Sequence, residues 1–200
     1  MKINVSIAQR AKAITLAKYI DYQNAVDDVE RVHVITGKPS SVVQMMQVQV
    51  VDGIISEYKR ALQLYATDFT RIVKFGAVEY AFIPNLSAMS LGEYVDIDTC
   101  ASKLQKKDGE LDGAMLHKLM CIFFRPIKYK AGKHYEIDKY DSDKISRYAD
   151  QLLQLDMEQV VNTLLFFSTL ESELYNTSLS YLAKEMEAMM MEATQLHQTA

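Results

Sequence analysis

The sequence predicts an α+β fold, mainly α-helical, with one or two small β-hairpins and a long C-terminal helix. Three observations predict it. Apolar residues recur near every 3.6 positions over most of the chain, two short β-branched and aromatic stretches each surround a glycine, and the segment from Asp156 to about Leu196 lacks Gly and Pro.

From Ala11 to Ala25 the positions Ile14, Leu16, Ala17, Tyr19, Ile20 and Tyr22 fit a short helix. Val26 to Ile35 fits a second, stopped by Gly37 and by Pro39 just beyond. Ser40 or Ser41 can cap the next helical segment, in which Val42, Met46, Val50, Ile54, Tyr58, Leu62 and Tyr65 keep helical spacing. Ser41 to about Ala66 is therefore read as one or two helices, with Gly53 the expected break.

Between Asp68 and Pro84 the pattern changes to Phe69, Ile72, Val73, Phe75, Val78, Tyr80 and Phe82 around Gly76, which predicts a hairpin. Ser90 with Glu93 three residues later has the form of a capping box, opening a helix with Tyr94, Ile97 and Cys100. Gln105 to Gly109 is then a loop. Leu111 to Phe124 carries an apolar stripe that predicts a core helix, with Pro126 as its terminator. Ile127 to Ile137, interrupted by Gly132, reads as a second hairpin or an extended loop.

Ser142 to Leu155 reads as a helix, and residues 156–200 as a separate arm on a body of residues 1–155. A single helix of ~40 residues at 1.5 Å each would reach ~60 Å, more than a domain of this size spans, so part of the arm is expected to meet partners. Leu182, Met186, Met189, Met190 and Leu196 would form its adaptable apolar face. The tract Asn176-Thr177-Ser178 is where a break is expected, because these side chains compete for the helical backbone.

Composition narrows the function. At 200 residues, with 49% apolar and 24% charged side chains, the chain can bury a core without disulfides or a structural metal. Its 26 acidic and 22 basic side chains are mixed along the sequence, so no basic face suggests itself and nucleic acid is not expected as the primary partner. No apolar run approaches the ~20 residues that cross a bilayer, and the first ten residues lack a secretory apolar core. Cys100 and Cys121 stand singly and read as small buried hydrophobes in a reducing compartment.

Chemistry-bearing motifs are missing. There is no phosphate loop, dinucleotide fingerprint, HExxH, CxxC or nucleophile elbow, and His33, His117, His134 and His197 lack metal-ligand spacing. Glu93, Asp96 and Asp98 could bind a cation or act as paired carboxylates, but near a helix start they also complement its dipole. Basic and aromatic residues interleave from Tyr129 to Tyr140, diluted by Glu136 and Asp138, which favours a protein-contacting hairpin over a single-strand binder. The expectation is a non-enzyme without cofactor or metal. Its contacts would be made by the apolar arm and by the aromatic side chains Phe75, Tyr80 and Tyr135 of the hairpins.

Three segments carry a resemblance: DDVERVHVITGKPSS (Asp27 to Ser41), AFIPNLSAMSLGEYVDIDT (Ala81 to Thr99) and LHKLMCIFFRPIKYK (Leu116 to Lys130). Together they resemble proteins encoded in the virion-assembly region of tailed bacteriophages, notably crAss-like phages. The resemblance implies a virion structural protein, a homo-oligomeric neck or tail ring or adaptor subunit that binds other phage structural proteins and is assembled in the host cytoplasm. It assigns no catalytic residue, and the sequence shows no self-association heptad. Two other roles suit the same features: a transient tail assembly chaperone, and a cargo protein packaged in the particle.

Overall fold

The computed structural model describes residues 7–85, 89–107, 109–132 and 134–169. Contacts divide the chain into two compact units, Met1–Val161 and Asn162–Ala200. The first unit is α+β: its helices accompany one four-stranded antiparallel sheet whose strands lie in chain order.

Helix α1 (Leu16–Asn24) begins where Thr15 accepts a hydrogen bond from the Lys18 amide, and α2 (Asp28–Thr36) begins on the Asp27 carboxylate. Gly37 closes α2 at φ +67, a left-handed conformation that the missing Cβ makes accessible. A single turn, α3 (Ser40–Val43), precedes α4 (Val48–Leu62). The break between them falls over 44–47 and not at Gly53, which lies inside α4 with open space where its Cβ would be. An interior glycine costs a helix about 1 kcal/mol, and burial of Ile54, Tyr58 and Ala61 along one face outweighs that.

Strands β1 (Ile72–Phe75) and β2 (Val78–Phe82) form the first expected hairpin, with Phe75 opposite Val78. Gly76 takes φ +59 at the first turn position, and no non-glycine among the described residues has positive φ, the pattern of a type II′ turn. Helix α5 (Leu91–Ala101) starts on Ser90, whose hydroxyl accepts from the Glu93 amide at 3.2 Å. Helix α6 (Gly113–Phe123) starts on Asp112 and is the buried core helix the apolar stripe predicts.

Strand β3 (Phe124–Ala131) follows α6 with no intervening loop, and β4 (His134–Ile137) completes the second hairpin. Pro126 therefore lies inside an interior strand and does not simply end a helix. Its carbonyl accepts from the Asp138 amide, so its ring nitrogen faces the same side, just past the end of β4, where no ladder bond is required of it. Phe82 packs on Phe123 and Phe124 with ring centroids 5.5 and 5.8 Å apart, joining the sheet to α6.

The helix expected over Ser142 to Leu155 is replaced by a 3-10 turn (Ile145–Arg147) and one helical turn, α7 (Ala149–Leu152). Tertiary bonds override the helical pattern here. Tyr148 donates its hydroxyl to the Cys121 carbonyl at 3.1 Å, and His117 Nε2 donates to the Ala149 carbonyl at 2.8 Å, withdrawing that carbonyl from helix continuation.

A further helix runs over 157–169. Its first turn belongs to the first unit: the Met157 amide reaches the Ile14 carbonyl at 2.8 Å, and Glu158 accepts from the Ala66 amide at 3.0 Å. The described part of the second unit, 162–169, is helical. The long helix predicted for the C-terminal segment, with Leu182, Met186, Met189, Met190 and Leu196, lies outside the described residues beyond 169. No described helix is long and apolar enough to cross a membrane.

Candidate interaction site

The β3–β4 hairpin separates two clefts, one on each face of the sheet. Register sets the faces: Ala81 pairs with Arg125 on one side, and Tyr80 pairs with Pro126 on the other.

On the Arg125 side, α5 and β3 are tied by a buried ion pair. Arg125 Nη2 donates to Glu93 Oε1 at 2.8 Å. Serine capping turns Glu93 inward at the start of α5, and strand alternation points Arg125 at it. The capping box inferred from Ser90 and Glu93 is thus half formed, because the Glu93 carboxylate serves Arg125 and not the Ser90 amide. Tyr140 lies under the guanidinium, 5.9 Å from ring centroid to Cζ, and donates its hydroxyl to Asp96. Burial, reinforced by that carboxylate, pushes the Tyr140 phenol well above its ordinary range, so it remains a donor at all physiological pH values. The adjoining cleft, about 490 Å³, has walls from Ile83, Met89, Tyr135 and Ile137.

The acidic run Glu93, Asp96 and Asp98 is consequently dispersed: Glu93 holds Arg125, Asp96 accepts from Tyr140, and Asp98 is exposed. No group of three metal-ligating side chains occurs among the described residues. His117 and His33 each donate a ring N–H to a backbone carbonyl, of Ala149 and Lys38.

On the Tyr80 side, a cleft of about 550 Å³ lies between the sheet and the segment 138–148. Its floor is Val78, Tyr80, Pro126 and Tyr148, and its rim carries Lys128, Lys139, Lys144 and Arg147 against Asp138 and Asp141. Lys144 pairs with Asp141, on which the charge of Arg147 also acts, while the side chains of Lys128 and Lys139 make no ion pair or hydrogen bond among the described residues. Four cations thus converge on a mostly apolar hollow in a chain of net charge -4. Low-dielectric walls concentrate the field of such a group on whatever enters.

The aromatic residues expected at hairpin tips divide. Phe75 adjoins the β1–β2 turn and is part-buried, its ring 5.9 Å from that of Tyr80. Tyr80 is a correction: it is 2% exposed, with Tyr148 6.1 Å away, so it supports the cleft floor and is no tip. Tyr135 is half-buried and donates to the Phe82 carbonyl at 2.9 Å, on the Arg125 side of the sheet. The cationic rim escaped sequence reasoning because its members are scattered from 128 to 147 and interleaved with acids. The one available signal was the basic and aromatic tract around Tyr129 to Tyr140. No family model, curated protein or solved structure matches the chain.

Proposed function

We propose that this chain is a non-enzymatic assembly subunit that holds neighbouring protein chains, and that it serves as a structural component of a tailed-phage particle, in a homo-oligomeric neck or tail ring or as an adaptor. The observation that carries the binding role is the cationic cleft. A rim of four cations against two acids, set over an apolar floor, suits an acidic protein segment that also brings an apolar side chain. The reading as a non-enzyme is supported by the engagement of Glu93, Asp96 and His117 in structural bonds. The virion setting rests on the resemblance carried by Asp27 to Ser41, Ala81 to Thr99 and Leu116 to Lys130.

The contact is burial steered by charge, and stable interfaces of this kind remove about 1,600 Å² from water. Quantitative peptide counting on purified particles tests the assignment. A fixed copy number per particle is expected. Presence in the producing cells with absence from finished particles would instead indicate a transient assembly chaperone.

A further inference from the structure

The cationic cleft has a counterpart on the same chain. The corner between α1 and α2 projects Val26, 82% exposed, beside exposed Asp27, Asp28 and Glu30. Val26 occupies the position before a helix cap, where an apolar side chain ordinarily folds back onto the first helical turn. Here it stands in solvent instead. The corner is also held rigid: Asp27 Oδ1 accepts from the Glu30 amide at 2.8 Å, and Glu30 Oε2 accepts from the Val26 amide at 3.1 Å. A rigid turn loses little conformational freedom on docking. Asp28 pairs with Arg31 one turn on, an exposed contact of small worth that a second cation can share.

We propose that the acidic corner Val26–Glu30 of one copy of the chain docks into the cationic cleft of the next copy, with Val26 on the apolar floor and the carboxylates against Lys128, Lys139 and Arg147. This inference rests on the assembly reading and names the partner surface. The two surfaces are different patches, so the contact is head-to-tail, and repetition closes a ring or extends a filament according to the rotation per step. Charge complementarity carries the match: the acids Asp27, Asp28 and Glu30 follow one exposed apolar side chain and outnumber Arg31 three to one, against a rim whose cations outnumber its acids four to two. Asp138 and Asp141 in the same cleft oppose an unbroken phosphate backbone, which is why a protein segment is favoured over nucleic acid.

The test is solution mass by light scattering over a concentration range, for the full chain and for Arg147→Glu and Asp28→Lys. Val26→Lys is a second corner variant at a position with no packing role. Wild-type mass should rise with concentration and fall back in high salt. Each variant should weaken self-association on the order of tenfold or more. An equimolar mixture of Arg147→Glu and Asp28→Lys should regain mass as far as a one-to-one dimer, because the first keeps an intact corner and the second an intact cleft. Variants that associate like wild type overturn the inference while leaving the assembly reading in place. A wild-type monomer throughout overturns it as well, and so does a cleft that binds an oligothymidine probe in an Arg147-dependent way without self-association.

Discussion

Arg125 and Glu93 meet at 2.8 Å with side chains only 6% and 5% exposed, and this pair fastens helix α5 to strand β3. At that burial the ion pair differs in kind from the exposed pairs Arg31–Asp28 and Arg60–Glu57, which are worth at most about 1 kcal/mol each. Removing one partner leaves the other charged and dry. Arg125→Met or Glu93→Leu alone is expected to cost about 3–5 kcal/mol, whereas the joint replacement should cost much less than the sum. Urea unfolding midpoints of the two single variants and the double variant measure this directly.

Gly113 opens α6 in close contact with α1. A Cβ there would sit 2.7 Å from Ile20 Cγ1 and 3.0 Å from Gln23 Oε1. Gly→Ala at the start of a helix ordinarily stabilises by about 0.4–1 kcal/mol. Here Gly113→Ala is expected to destabilise by about 1–3 kcal/mol, as overpacking does, and to displace Gln23 from the Gly113 amide it now holds at 2.8 Å. Pairing it with Ile20→Ala, which removes the obstructing atom, should make the combined loss smaller than the sum of the single losses in thermal unfolding.

Much of the fold was legible because its signals are local. Gly37 with Pro39, the Ser90 cap, the turn at Gly76 and the stripe from Leu116 to Phe123 each depend on residues within one turn or one hairpin of one another. What escaped is long-range. The partner of Glu93 lies 32 residues away on another element. The failed helix over Ser142 to Leu155 has suitable apolar spacing, but Tyr148 and the Ala149 carbonyl are claimed by α6. Pro126 marks a helix end in a linear reading, yet a strand accepts it because β4 ends where its missing amide would point. The joining of two hairpins into one sheet and the gathering of the cationic rim are likewise products of topology, invisible to a count of mixed charges.

Asp156 caps the helix over 157–169, its Oδ1 accepting from the Gln159 amide at 2.8 Å. Burial nevertheless raises its carboxyl above the ordinary value of 3.8, with the Gln159 bond acting the other way. A raised folded-state value means the folded protein binds this proton more tightly than the unfolded chain does. Its ionisation therefore subtracts from stability as pH rises through the carboxylate range. Asp156→Asn keeps the cap and removes the charge, so the variant should match or exceed wild-type stability at neutral pH. Its advantage should shrink as pH falls through that range in urea titrations.

Both cysteines are free and buried, and neither should react in the folded state. Burial pushes the Cys121 thiol up to about 12, with the Asp150 carboxylate adding to it, and burial also raises Cys100. Without thiolate or access, a thiol has little reactivity. Labelling with an aromatic disulfide reagent should be slow in native buffer, follow the opening rate of α5 and α6, and go to completion for both thiols in denaturant.

The claim that a neighbouring chain occupies the cationic cleft is tested most directly by zero-length carbodiimide cross-linking of the assembled protein, with two isotopic forms mixed so that links between copies are distinguished. Amide links from Lys128, Lys139 or Lys144 to Asp27, Asp28 or Glu30 of another copy are expected. Assembled protein whose links between copies bypass both the cleft and the corner would contradict it.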